Sequence, residues 1–157
     1  MVIKKQPEAV EEIVGGAIAQ MAGRSPGREI QVEVPEEVLM VPMDARLIMQ
    51  VLINLLDNAV KHTPPEAEIK ITVKKDLAGE NAVFCVADRG EGIAPEDLPR
   101  IFEKGYTGCN GRADKRSTGI GLYLCRQIME KLSHTIRIES EMGVGTKVYL
   151  GLDTVSL

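Results

Sequence analysis

The chain is expected to fold as an α+β two-layer sandwich, with helices covering one face of a mostly antiparallel sheet. Three observations lead there. Helical periodicity recurs in three separate segments, alternating segments with strand character lie between them, and the order is helix, strands, helix, strand pair, loop, helix, strand pair. At 157 residues the chain fits one domain (1–157) large enough to bury its own core. It contains no internal repeat and no low-complexity segment.

Within residues 1–43, Pro7 to Ala22 reads as a helix because Val10, Ile13, Val14, Ala17, Ile18 and Met21 recur at helical spacing. The stretch "GRSPGRE" breaks it with Gly and Pro, "IQVEV" alternates as a strand, and "VLMVP" is a second short strand candidate. Asp44 then caps a helix running from Ala45 to about His62, which Thr63-Pro64-Pro65 ends. "EIKITVKKD" and "NAVFCVADRG" read as a hairpin turning around Ala78-Gly79. A short helical piece is expected near Pro95 to Phe102. Residues 104–118, with three glycines and little apolar content, read as a mobile loop. Ile120 to Leu132 is an amphipathic helix, and "TIRIES" and "TKVYLGL" are strands linked by "EMGVG".

Composition narrows the function. With 44% hydrophobic and 27% charged residues the chain reads as an ordinary soluble globular protein. No apolar run approaches the roughly 20 residues that span a bilayer, and "MVIKKQPEAVEE" lacks the apolar stretch of a secretory signal. A net charge of −4 and the lack of a basic block give no support to nucleic-acid binding. Cys85, Cys109 and Cys125 form no CxxC pair, and with His62 and His134 as the sole histidines a Cys/His metal site is not expected. The thiols are read as reduced, in a cytoplasmic domain, with two of them packed in the core.

Three glycine clusters follow in order: Gly90 and Gly92 after a strand, Gly119 and Gly121 before a helix, Gly143 and Gly145 between strands. A Walker A loop is excluded because no Gly-Lys dipeptide occurs. "GEGIAP" imitates a dinucleotide fingerprint, but Pro95 replaces the third glycine and no parallel βαβ pattern follows. In "ADRGEGI" an Asp leaves a buried strand beside two glycines, where its carboxylate can accept from an exocyclic amine such as that of adenine. In "STGIGLYL" glycines precede a helix whose unpaired N–H groups favour phosphate.

The helix "QVLINLLDNAVKHT" carries a further pattern. At about 100° per residue, Leu52, Ile53, Leu55, Leu56, Ala59 and Val60 share one broad face, while Asn54, Asn58 and Lys61 gather opposite, with His62 at the margin and Asp57 on the other side. Such a polar stripe is ordinarily a solvated outer face. Amide carbonyls also suit Mg²⁺, and lysine suits phosphate.

Read together, "NLLDNAVKHT", "DRGEGI", "LPRIFEKGYTG", "TGIGLYL" and "GVGT" resemble the N, G1, F, G2 and G3 boxes of histidine-kinase ATP-binding domains, the two-component branch of the Bergerat-type (GHKL) fold. The resemblance covers residues 44–150, and the wording around "MDARLIMQVLINLLDNAVKHTP" is most similar to KdpD-type sensors of potassium limitation. It implies a two-layer sandwich on a mixed, mostly antiparallel sheet, with ATP and Mg²⁺ as ligands. Asn58 would coordinate Mg²⁺, Asn54 would support the metal and its waters, and Lys61 would reach the phosphates, with His62 near ribose and phosphates. Asp88 would bind the adenine amine in a pocket shaped by Gly90, Gly92 and Ile93. Phe102 would anchor the ATP lid, whose Arg112, Lys115 and Arg116 are available to neutralise phosphate. Thr118, Gly119, Ile120, Gly121 and Leu122 would hold the phosphate tail, and Gly143, Gly145 and Thr146 would close the adenine side.

The resemblance also bears on chemistry. Relatives that hydrolyse ATP (gyrase, Hsp90 and MutL types) place a Glu near the position of Asn54, and asparagine cannot take a proton. Transfer to an acceptor is therefore expected over hydrolysis. The family's acceptor is a histidine on a separate dimerising hairpin, but neither His62 nor His134 is followed by an acceptor-box sequence. His134, in a place where the family usually has glycine, reads as a surface or packing residue. An isolated catalytic piece of a larger sensor is expected, cytoplasmic itself, its parent anchored in the bacterial inner membrane and acting indirectly on a response regulator. No direct membrane contact is expected of this piece. A non-catalytic nucleotide-binding regulator and an anti-sigma-factor serine kinase of the same fold stand as alternatives.

Overall fold

The apolar face of the helix at Ala45–Lys61 organises the structure, a computed structural model that describes residues 2–75, 81–103 and 121–153. In chain order the elements are β1 (Gln6–Ala9), α1 (Val10–Arg24), β2 (Gln31–Glu33), β3 (Met40–Met43), α2 (Ala45–Lys61), β4 (Ile69–Lys75), β5 (Asn81–Asp88), α3 (Gly121–Lys131), β6 (Thr135–Glu141) and β7 (Gly145–Asp153).

Five strands form one sheet in the order β2-β4-β5-β7-β6. Only the β2–β4 pair is parallel; β4–β5, β5–β7 and β7–β6 are antiparallel, giving the expected mixed, mostly antiparallel sheet. Alternation decides what faces the core: Ile69, Ile71 and Val73 of β4, Ala82, Phe84 and Val86 of β5, and Val148, Leu150 and Leu152 of β7 are buried. Against them pack Ile48, Val51, Leu52, Leu55 and Leu56 of α2, flanked by Val14, Ala17 and Met21 of α1 and Ile128 and Met129 of α3. Each large apolar side chain so buried contributes about 1.5–3 kcal/mol, and α2 supplies more of them than either flanking helix.

Two expectations change. Pro7–Ala9 belongs to β1, not to the first helix: β1 pairs antiparallel with β3 in a separate two-stranded sheet, with Pro7 opposite Pro42. Ala9 is extended (φ −77°, ψ 123°), and the buried helical periodicity begins at Val10. The piece expected at Pro95 to Phe102 is a single 3₁₀ turn at Leu98–Arg100, where Arg100 N–H donates to Asp97 O at 2.9 Å and Glu103 N–H to Arg100 O at 2.9 Å. Pro99 supplies no N–H to an α-helical ladder.

The turn at Ala78-Gly79, the loop 104–118 and the first residue of the helix expected from Ile120 lie outside the described residues. Of the three cysteines, two of which are expected in the core, Cys125 is buried, Cys85 is half-buried, and Cys109 lies outside the described residues. His134 is buried at 7% exposure, so of the two readings given for it, packing holds. Among the described residues no helix is long and apolar enough to cross a membrane.

Candidate functional site

The polar stripe of α2 begins from a fixed helix start. Asp44, 4% exposed, accepts from Leu47 N–H at 3.3 Å and from Lys4 N–H at 2.9 Å, satisfying an otherwise orphaned donor of the first turn. Further along, Asn54 and Asn58 are half-buried and look toward α3. The Asn54 amide hydrogen-bonds the Cys125 thiol, which itself lies 3.8 Å from Val51 O. Asn58 stands at the start of α3: a Cβ on Gly121 would sit 3.6 Å from Asn58 Nδ2 and 3.7 Å from Oδ1. The stripe differs in one respect from the angular reading. Asp57 does not lie apart from Lys61 but pairs with it, Nζ to Oδ2 at 3.0 Å, as residues four apart on a helix do.

The last turn of α2 leads into a second group. His62 N–H donates to Asn58 O at 3.0 Å and the exposed His62 ends the helix. Its carbonyl lies against Gly90, where a Cβ would come within 2.7 Å of His62 O and 2.9 Å of Thr63 Cγ2. Gly90 N–H donates to Asp88 Oδ1 at 3.0 Å, folding the chain back around the carboxylate at the end of β5. Burial pushes the Asp88 pKa above its ordinary value; N–H groups of Gly90 and Thr146 and the charges of His62 and Arg28 act in the opposite direction.

The glycines of the first and last clusters lock together. Gly92 has φ +79°, and a Cβ there would meet Glu141 O at 2.2 Å; Gly145 (φ +145°) would meet Asp88 O at 2.0 Å. Ser140 joins the two segments by accepting from Ile93 N–H at 2.8 Å while lying 3.0 Å from Gly145 O and 2.9 Å from Thr146 Oγ1. Gly143 N–H donates to Glu91 O at 2.8 Å. Thr146 stands opposite Asp88 in the β5–β7 register.

Thus Asp88, Gly90, Gly92, Ile93, Gly145 and Thr146 form one unit, with His62 at its edge, and Asn58 meets Gly121. Leu122 is half-buried and packs against the core. Phe102 is half-buried, with the Arg126 guanidinium of α3 5.4 Å from its ring centroid, so it ties its segment to α3. Arg112, Lys115, Arg116, Thr118, Gly119 and Ile120 lie outside the described residues.

Sequence reasoning missed Arg28, Ser140 and the role of Thr63. In the sequence Thr63 is only a helix stop, yet its hydroxyl donates to Ala59 O at 2.7 Å and accepts from Arg28 Nη2. Nothing local marks Arg28, one charged residue in a Gly/Pro-rich turn. The donors also permit a test of fit for Mg²⁺. Among the described residues no group of three or more His, Cys, Asp or Glu could hold a metal ion. Asn58 offers one amide oxygen, which fits a cation that completes its shell with phosphate oxygens and water.

Known proteins resemble the chain in sequence and in fold. Residues 43–156 match the family described as histidine kinase-, DNA gyrase B-, and HSP90-like ATPase. Sensor protein KdpD of Clostridium acetobutylicum is 42% identical over 142 residues, covering 88% of this chain and 15% of that protein. Sensor protein BceS of Bacillus subtilis is 42% identical over 120 residues, covering 76% of this chain and 34% of that protein. The chain therefore spans between about a seventh and a third of the length of these relatives. Among solved structures, the catalytic domain of histidine kinase ThkA superposes with a TM-score of 0.82 at 25% identity, covering 97% of both chains. The chain belongs to the histidine kinase-, DNA gyrase B- and HSP90-like ATPase family, with the sensor histidine kinases as its relatives.

Proposed function

We propose that this chain is the ATP-binding catalytic domain of a sensor histidine kinase, holding Mg-ATP and donating the γ-phosphoryl group to a histidine on a separate dimerisation domain. The observation that carries the reading is the last turn of α2, which joins two groups of opposite chemistry: Asn58 facing Gly121 at the start of α3, and His62 abutting the Asp88 turn. In this reading the ionised Asp88 accepts from the exocyclic amine of adenine while Gly90 and Gly92 keep the backbone close. The phosphates extend toward Asn58, Lys61 and the N–H groups opening α3, where the helix dipole favours negative charge. Lys61 exchanges its surface pairing with Asp57, worth about 0.3–0.5 kcal/mol, for a more highly charged partner. Asn58 would hold Mg²⁺, which when bound neutralises phosphate charge.

Asn54 donates and accepts but takes no proton, so no base at this position activates water. Phosphoryl transfer rests mainly on positioning and charge neutralisation, which suits a site that waits for an acceptor brought in line. Arg112, Lys115, Arg116, Thr118, Gly119 and Ile120 complete the phosphate side in this proposal. In the whole protein, a KdpD-type sensor anchored in the bacterial inner membrane, the phosphoryl group would pass on to a response regulator, and the signal would be potassium or osmotic stress.

Calorimetric titration with a non-hydrolysable ATP analogue, with and without Mg²⁺, tests the site. Asp88→Ala is expected to weaken binding by at least about tenfold, in line with losing a hydrogen bond to a charged group; equal affinity in both proteins overturns the adenine assignment. Labelled ATP supplied together with the parent's histidine hairpin tests the chemistry. Label on the hairpin is expected, and its absence with binding intact would leave a nucleotide-binding regulator.

A further inference from the structure

Arg28 lies in the connection between α1 and β2, ahead of the residues 43–156 that the family description matches. Its guanidinium nevertheless reaches the site. Nη2 donates to Thr63 Oγ1 and to Ala67 O at 3.2 Å, two acceptors of the α2–β4 connection. Thr63 passes the contact inward: its hydroxyl donates to Ala59 O at 2.7 Å, and its methyl lies where Gly90 has no room for a Cβ. At the far end of the same connection Arg89 N–H donates to Glu68 O at 3.2 Å, beside Asp88. Both bonds leave one nitrogen, whose two N–H groups point in fixed directions within the guanidinium plane and so set the spacing of the two acceptors, whereas a lysine ammonium rotates freely.

We propose that Arg28 is a positioning residue of the adenine site, holding the α2–β4 connection against the Asp88 turn and keeping that carboxylate an acceptor for an exocyclic amine. The proposal rests on the nucleotide reading above. Charge and geometry act together here. Opposite Asp88 in the sheet stand Ile69 and Thr146, neither of them charged, so the charges that act on it come from His62 at the end of α2 and from Arg28, with Arg89 and Glu91 exposed on its own turn. Both His62 and Arg28 favour the ionised form against the effect of burial.

The test is a pH series, from 5 to 8, of calorimetric titrations with a non-hydrolysable ATP analogue on wild type, Arg28→Met and Arg28→Lys. For Arg28→Met, affinity is expected to fall about three- to tenfold at the acid end and less at pH 8, a tenfold change corresponding to one unit of pKa. Arg28→Lys should recover the pH profile but only part of the affinity. A uniform loss across the series, with an unmoved profile, overturns the proposal in favour of a purely structural role. The ¹³C titration of the Asp88 carboxyl in nucleotide-free protein is the second measurement. Its midpoint should rise in Arg28→Met and return in Arg28→Lys; an unchanged midpoint overturns the proposal even if the nucleotide reading stands. Failure of wild type itself to bind the analogue overturns that reading instead.

Discussion

Asp88 and the glycines around it show how single residues are bound by what surrounds them. Burial, acting more strongly than the N–H donors of Gly90 and Thr146, raises the Asp88 pKa above its ordinary value of 3.8. The sign follows from linkage: a raised folded pKa gives stability that is full below the unfolded value and is lost as pH rises through the folded one. Asp88→Asn keeps an acceptor for Gly90 N–H but no charge to desolvate. Chemical denaturation should therefore find Asp88→Asn gaining on wild type between pH 4 and pH 7, while losing nucleotide affinity. A constant difference across that range would show that ionisation of Asp88 is not what the fold works against. The glycines give a graded series. Gly143 has φ +80° and open space around it, so Gly143→Ala meets backbone strain of about 1–2 kcal/mol and nothing else. Gly92→Ala adds to a similar φ of +79° a Cβ 2.2 Å from Glu141 O, and its destabilisation in urea should exceed that of Gly143→Ala by at least about 2 kcal/mol. Equal losses would mean that the Glu141 backbone yields freely. Gly145, pressed on Asp88 O, has a place in the site itself, since any Cβ there displaces the carboxylate-bearing strand end.

Among the elements, α2 has both of its ends spoken for: the first turn is capped by Asp44 and the last abuts the Asp88 turn. Asp44 accepts from Leu47 and from Lys4, the latter 40 residues away in sequence, so it fixes the helix and the N-terminal segment with one carboxylate. Asp44→Ala should cost about 1–2 kcal/mol on the capping scale, measurable as a shift of the thermal midpoint; no shift would assign the cap to solvent. The helices and the strands of the main sheet were legible because each carries its own period: buried alternation in Ile69, Ile71 and Val73, helical recurrence in Leu52, Leu55, Leu56 and Ala59. What was not legible is non-local. Pro7–Ala9 is drawn into a strand by Met40–Met43, and no pattern near Pro7 announces a partner more than thirty residues away. The Asp88 and Gly90 end of the site was legible, since a strand-end carboxylate beside glycines has a local signature. Arg28 and Ser140 were not, because their meaning lies in Thr63 and Ile93, which topology alone brings to them.

For the molecule as a whole, sheet and helices share one core, and the polar site is built along its margin, not through it. Cys125 marks the boundary. It is fully buried between α2 and α3, in contact with Val51 from the core side and with Asn54 from the stripe. Burial pushes its thiol up to about 12, so in the native state it is neutral at any physiological pH and a poor nucleophile. Two consequences can be measured on one pair of proteins. Alkylation of Cys125, followed by peptide mass analysis, should proceed only as fast as the fold opens, and denaturant should accelerate it in step with global unfolding. Labelling that is fast and indifferent to denaturant would show a local opening of α3 away from α2. The pH dependence follows from the same burial. A thiol pKa raised from 9.0 to about 12 gives stability present below pH 9 and lost as pH climbs toward 12. Lysine and tyrosine groups titrate in the same window, including Lys70, whose pairing with Glu33 raises it, and Tyr149, raised chiefly by burial. The comparison that isolates the thiol is therefore wild type against Cys125→Ala. Between pH 8 and pH 10.5 the wild type should lose stability more steeply than the variant. Parallel curves would place the alkaline sensitivity of the fold in those other groups and not in the contact between α2 and α3.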